Sequence, residues 1–145
     1  MVIDPPTILL VEDDSNDVLL IERAFRKANV NTQIEIVADG DEAIAYLTQQ
    51  SLARSDALPA LVLLDLKLPR RSGLEVLEWV RQQPLLKRLL VVVLTSSRES
   101  PDIARAYDLG VNSYLVKPVV FDDLVILATY IHQYWLDCNE QPTFF

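Results

Sequence analysis

The chain has 145 residues, half of them hydrophobic, with only 3 glycines and a formal net charge of −8 at pH 7. This size suits one domain with a substantial core, and the composition excludes a disordered or collagen-like chain. The acidic balance disfavours a phosphate backbone as partner, the single cysteine, Cys138, allows no internal disulfide, and no apolar run approaches the roughly 20 residues that span a bilayer. With no basic-then-apolar leader at the N-terminus, the expectation is a cytoplasmic protein with no nucleic-acid and no membrane partner.

Strand-like and helix-like patterns alternate five times, without an internal repeat. The first strand is predicted from Thr7 to Glu12 and ends in Glu12-Asp13-Asp14. A helix follows from Ser15, a candidate N-cap, to Ala28, with Val18, Ile21 and Phe25 as its apolar stripe. Asp14 reads as a solvated or helix-capping acid. The second strand spans Gln33 to Val37, Asp39-Gly40-Asp41 reads as a turn, and a second helix reaches Gln50. Residues 51–60 form a polar connection.

The third strand, Leu61 to Asp65, is an unbroken apolar run that ends in a carboxylate. The third helix runs from Gly73 to Gln83 and Pro84 stops it. The fourth strand, Leu90 to Thr95, ends in Thr95-Ser96-Ser97. The fourth helix starts at Pro101 and ends at Gly110, a C-cap. The fifth strand, Ser113 to Val116, ends in Lys117-Pro118. The fifth helix spans Phe121 to Leu136, with Asp122 and Asp123 favouring its dipole in the first turn.

Five such units with short connections predict an α/β domain, a doubly wound five-stranded parallel sheet with five helices. The domain is expected over residues 7–136, between an N-terminal extension, 1–6, and a C-terminal tail, 137–145.

Open α/β sheets place ligands at the carboxyl ends of their strands. Here those ends carry acids, hydroxyls and one lysine. If Glu12, Asp13 and Asp65 meet, their mutual repulsion calls for a cation, and an all-oxygen acidic site suits Mg²⁺. Lys117 adds a fixed positive charge and Thr95 a hydroxyl. Such parts fit phosphoryl transfer to an aspartate, in which positioning and charge neutralisation do most of the catalysis.

Four motifs in register carry a resemblance: Val11-Glu12-Asp13-Asp14, Leu64-Asp65 with Pro69 and Gly73, Leu94-Thr95-Ser96, and Lys117-Pro118. The chain resembles the receiver domains of two-component response regulators from about residue 7 to residue 136. The resemblance implies a flavodoxin-like fold with Asp65 as phosphoacceptor. It implies that Glu12, Asp13, Asp65 and the backbone carbonyl of Lys67 hold Mg²⁺, that Thr95 and Tyr114 are the switch pair, and that Lys117 contacts the phosphoryl group. It further implies a cis Lys117-Pro118 bond and a sensor histidine kinase as phosphohistidine donor. The only chemistry expected is Mg²⁺-dependent self-phosphorylation and self-dephosphorylation, not turnover of an external substrate. Two features depart from the family or bear on its chemistry: Glu12 stands where aspartate is more usual, and Lys67 places a cation at the mouth of the site.

The fifth helix is apolar nearly all round, so it needs burial on more than one side. A homodimer through the fourth helix, fifth strand and fifth helix would provide it, with Tyr130, Tyr134, Trp135, Phe144 and Phe145 as interface candidates. Covering by the tail Pro142–Phe145 is the other reading. His132, the only histidine, reads as a helix-surface or interface residue. Tyr134-Trp135-Leu136 and the short extension resemble the small response regulators paired with cyanobacterial phytochrome kinases, which implies a phytochrome-type kinase as partner. A phosphorylation-independent pseudo-receiver, acting as scaffold or dimerisation module, is the competing class. An aspartate-dependent phosphatase is disfavoured by Lys67, where a second acid would be wanted. A flavin module is disfavoured by the lack of a phosphate loop after the first strand.

Overall fold

Parallel strands buried on both faces read as continuous apolar runs, and three such runs form the centre of this molecule. The structure, a computed structural model, describes residues 6–53 and 57–144. Most of the N-terminal extension, part of the 51–60 connection and Phe145 lie outside the described residues. The chain order is β1 (Thr7–Val11), α1 (Ser15–Lys27), β2 (Gln33–Val37), α2 (Gly40–Ala53), β3 (Leu61–Leu64), α3 (Gly73–Gln82), β4 (Val91–Thr95), α4 (Ser100–Asp108), β5 (Ser113–Val116) and α5 (Phe121–Ile131). A π-helical segment, His132–Cys138, continues α5. The five strands are all parallel, in the order β2-β1-β3-β4-β5. The expected doubly wound sheet is therefore the observed one.

Alternate side chains of the central strands feed two cores. Leu9, Val11, Val62, Leu64, Val91 and Val93 pack under α2, α3 and α4. Ile8, Leu10, Leu61, Leu63, Val92 and Leu94 pack under α1 and α5. Each fully buried Leu or Val favours folding by about 1.5–3 kcal/mol. Among the described residues, no helix is long and apolar enough to cross a membrane.

Several boundaries differ from expectation for local reasons. Asp14, not Ser15, caps α1, because its Oδ1 accepts from the amides of Asn16 (2.8 Å) and Asp17 (3.1 Å). Gly40 is not the centre of a turn but the first residue of α2, which Asp39 introduces by accepting from the Glu42 amide at 2.8 Å. A Cβ on Gly40 would lie 2.2 Å from the Arg71 carbonyl oxygen, so α2 meets the β3–α3 loop only through glycine. Ser72 caps α3 by accepting from the Glu75 amide at 3.2 Å. Gly110 does terminate α4, at φ +91°.

The end of the chain departs most. Leu124, Ala128 and Ile131 of α5 are buried, while Val125, Leu127, Trp135 and Leu136 pack partly against the same core. Ile126, Tyr130 and Tyr134 remain exposed. The described part of the tail, to Phe144, does not cover them. It carries Phe144 to the opposite core, below α3, where Arg88 Nη1 donates to the Thr143 carbonyl at 3.4 Å. Phe144 and Trp135 are thus packed within their own chain, each finding more apolar surface there than at a solvent-facing edge. His132 is half-buried, and its Nδ1 has no hydrogen-bond partner among the described residues.

Candidate functional site

Sheet order reverses at β1, whose neighbours β2 and β3 lie on opposite sides, and this opens a crevice at the carboxyl ends of β1 and β3. The register pairs Val11 with Leu64, so the residues that follow, Glu12 and Asp65, emerge side by side. Backbone bonds hold both: the Asp65 amide donates to Val11 O (3.1 Å) and the Glu12 amide to Val37 O (3.0 Å). Glu12 is 2% exposed, Asp65 7% and Thr95 0%, whereas Asp13 faces solvent. One carboxylate oxygen from each of Glu12, Asp13 and Asp65 lies within 4.8 Å of the others.

Lys117 reaches this cluster from β5. Its amide donates to Thr95 O at 2.8 Å, which extends the β4–β5 ladder beyond the last paired residues. Its ammonium donates to Glu12 Oε1, to Asp17 Oδ2 (2.8 Å) and to Asp65 Oδ2 (3.1 Å). Asp65 Oδ1 accepts from the Leu66 amide at 2.7 Å. The Lys117-Pro118 bond is trans, since the described chain contains no cis peptide. A trans bond is the lower-energy isomer before proline, and it already delivers the ammonium to all three acids.

Four carboxylates thus face one ammonium. Burial pushes the Glu12 carboxyl up to about 7, against the hydrogen bonds from Lys117 and the Asp14 amide, and the Asp65 charge adds to the rise. Burial alone would lower Lys117. The bonds to Asp17 and Glu12 and the charge of Asp65 outweigh it and hold the ammonium above the ordinary lysine range. The set consists of hard oxygen donors in acidic excess, which fits a divalent cation such as Mg²⁺ or Mn²⁺ better than a soft one.

Close packing keeps Asp65 in place. A Cβ on Gly73 would sit 2.1 Å from Asp65 O and 2.7 Å from Leu66 Cα, and the Gly73 amide donates to Leu66 O at 2.8 Å. The start of α3 therefore rests directly on the strand end. Lys67 is exposed at the rim, and among the described residues no hydrogen bond is made to its carbonyl oxygen. Tyr114 is half-buried, with its phenol raised by burial, and its hydroxyl donates to Ser97 O at 3.0 Å.

The residues expected to hold the metal and the phosphoryl group lie at this one sheet edge, while Tyr130 on α5 and Tyr134 on its π-helical extension lie apart. Sequence reasoning missed Asp17, which stands in the first turn of α1. Its signal was its position three residues after the cap Asp14, beside the inward-facing Val18.

A buried aspartate at a parallel strand end, flanked by acids, a hydroxyl and a lysine, is the arrangement of the receiver class of signalling domains. The model of the response regulator receiver domain matches residues 8–129, and the chain belongs to that family. It is 43% identical over 139 residues to the probable methanogenesis regulatory protein FilR2 of Methanothrix harundinacea, covering 96% of this chain and 89% of that protein. It is 40% identical to response regulator Rcp1 of Synechocystis, covering 95% and 94%. The crystal structure of the Mn²⁺-bound form of Rcp1 superposes with a TM-score of 0.83 at 39% identity, over 96% of this chain and 100% of that one. That of the phosphorylated cyanobacterial phytochrome response regulator RcpA gives 0.86 at 39% identity, over 96% and 99%.

Proposed function

We propose that this protein receives a phosphoryl group on Asp65 from a phosphohistidine of a sensor histidine kinase, of the phytochrome type, and signals through changed protein contacts. The observation that carries the reading is the placement of Asp65. It is a nearly buried carboxylate 3.1 Å from the Lys117 ammonium, within a cluster of three acids able to share one cation. The likeness to Rcp1 and RcpA supports the phytochrome pairing.

In the proposed step an Asp65 carboxylate oxygen forms a bond to phosphorus as the phosphorus–nitrogen bond of the donor histidine breaks. Lys117 Nζ neutralises charge on the phosphoryl oxygens, and the Thr95 hydroxyl donates to one of them. Glu12, Asp13, Asp65 and the Lys67 carbonyl would hold Mg²⁺. When bound, that ion neutralises the acidic cluster and the incoming phosphoryl charge. Attack of water on phosphorus then breaks the bond to the Asp65 oxygen, which restores the carboxylate and releases inorganic phosphate.

The receiver unit is proposed to span residues 7–136, with 137–145 as a tail. Its output is proposed to be a homodimer through α4, β5 and α5. Ile126, Tyr130 and Tyr134 recur every fourth residue on one exposed strip of α5 and its π-helical extension, and these apolar side chains suit a second copy of the same face.

The test is incubation with a small phosphodonor and Mg²⁺, read by intact mass, on wild type and Asp65→Asn. One phosphoryl adduct in the wild type, absent from the variant, is the expected result. No adduct in the wild type, when a working receiver alongside is labelled, would replace this reading with a phosphorylation-independent scaffold.

A further inference from the structure

A phosphoryl group on Asp65 acts at a strand end, whereas α4 begins beyond the β4–α4 loop. One residue of that loop touches both sides. Ser97 is 6% exposed, although Ser96 and Arg98 beside it face solvent. Its amide donates to Thr95 Oγ1 at 3.4 Å. Its carbonyl accepts from the Tyr114 hydroxyl at 3.0 Å. Its own hydroxyl donates to Asp102 Oδ2 at 2.5 Å and accepts from the Glu99 amide at 3.3 Å.

The helix has little else to hold its start. Glu99 occupies the N-cap position of α4 but makes no side-chain cap bond. Asp102, in the first turn, is tied back to the loop by Ser97. A hydroxyl-to-carboxylate bond is charge-assisted and among the stronger hydrogen bonds a side chain makes.

We infer that Ser97 is the positioning residue that couples Thr95 to α4: its backbone follows the Thr95 and Tyr114 hydroxyls, and its side chain carries their movement into Asp102. This rests on the phosphoacceptor reading of Asp65. If the Thr95 hydroxyl turns toward a phosphoryl oxygen, the Ser97 amide must follow its acceptor or lose it. When it follows, the carbonyl that holds Tyr114 and the hydroxyl that holds Asp102 shift together, because both belong to the same residue. Without the hydroxyl, Thr95 and Tyr114 keep their backbone partners, but α4 is released from them.

The experiment is hydrogen exchange of the α4 amides from Ile103 onward, with and without beryllofluoride plus Mg²⁺, on the full chain. Binding of beryllofluoride is followed separately by fluorine NMR. Wild type and Ser97→Thr are expected to change α4 exchange by roughly tenfold between the two states, the scale of one charge-assisted bond. Ser97→Ala and Asp102→Asn are expected to bind beryllofluoride as wild type does, yet to show the same α4 exchange in both states. A purely structural role would speed exchange equally in both states and preserve the difference between them, and that result overturns the inference. So does an unchanged difference in Ser97→Ala. Failure of the wild type to bind beryllofluoride overturns the phosphoacceptor reading, and the coupling with it.

Discussion

Glu12→Gln separates what the acidic cluster does for function from what it does for stability. The Glu12 carboxyl has an ordinary value of 4.5 and is raised to about 7 in the fold, chiefly by burial. A carboxyl raised by folding contributes its stability in full below pH 4.5 and loses it as the pH climbs through 7. The gap between the two values corresponds to about 3 kcal/mol lost at pH 8, at about 1.4 kcal/mol per pH unit. Glutamine keeps the shape and can still accept from the Asp14 amide. It offers Lys117 only a neutral oxygen, a loss that the value of about 7 already contains, since the Lys117 bond is among the effects that set it. In chelator at pH 8 the variant should therefore be more stable than wild type by up to about 3 kcal/mol. At a typical urea dependence this raises the unfolding midpoint by about 1–2 M. At pH 5 the advantage should fall below about 1 kcal/mol, since Glu12 is then protonated in the fold. Urea unfolding followed by tryptophan fluorescence at both pH values measures this, and titration with Mg²⁺ should show affinity weakened about tenfold or more. A variant less stable than wild type at pH 8 without metal, or shifted equally at both pH values, would refute the argument that burial dominates at Glu12.

The remaining predictions concern positioning and contacts. Gly73→Ala places a Cβ 2.1 Å from Asp65 O, so it should destabilise by about 1–3 kcal/mol and slow phosphoryl uptake in an intact-mass time course; wild-type behaviour in both would mean that α3 shifts freely. Asp17→Asn removes one half-exposed negative charge from Lys117, so stability should change by less than about 1 kcal/mol. Its phosphorylation by a small anionic donor should quicken about two- to tenfold as repulsion falls, and a slower reaction would show instead that Asp17 is needed to aim the ammonium. Tyr130→Ala and Tyr134→Ala should each weaken self-association by about 1–2 kcal/mol, whereas Phe144→Ala should lower thermal stability and leave association alone. Sedimentation velocity separates these outcomes, and association lost only in the Phe144 variant would move the interface to the tail.

Much of the fold was legible because β1, β3 and β4 are buried on both faces. Such strands have no place for an unpaired charge, so the carboxylate that follows the runs of β1 and β3 marks the strand end, where it is still buried but meets Lys117. Leu61-Val62-Leu63-Leu64-Asp65 shows this most plainly, and the parallel order then places Glu12 beside Asp65. Helix ends were less legible. Asp39-Gly40-Asp41 has the composition of a turn, yet the chain uses the aspartate as a cap and the glycine as a point of close contact with Arg71.

Local pattern determined which faces are buried and therefore which elements form and where their acids emerge. Tertiary structure decided which atoms meet. Glu12 and Lys117 are 105 positions apart, and their pairing depends on the register of the whole sheet. Asp17 joins them only because the N-terminus of α1 is aimed at the same crevice. Ser97 acquires its four bonds only when β5 and α4 are both in place, and Phe144 finds its core only where the tail meets the connection between α3 and β4. Burial is encoded by the periodicity of neighbouring residues, whereas hydrogen bonds and charge interactions depend on distances of a few ångströms between segments that the sequence holds far apart.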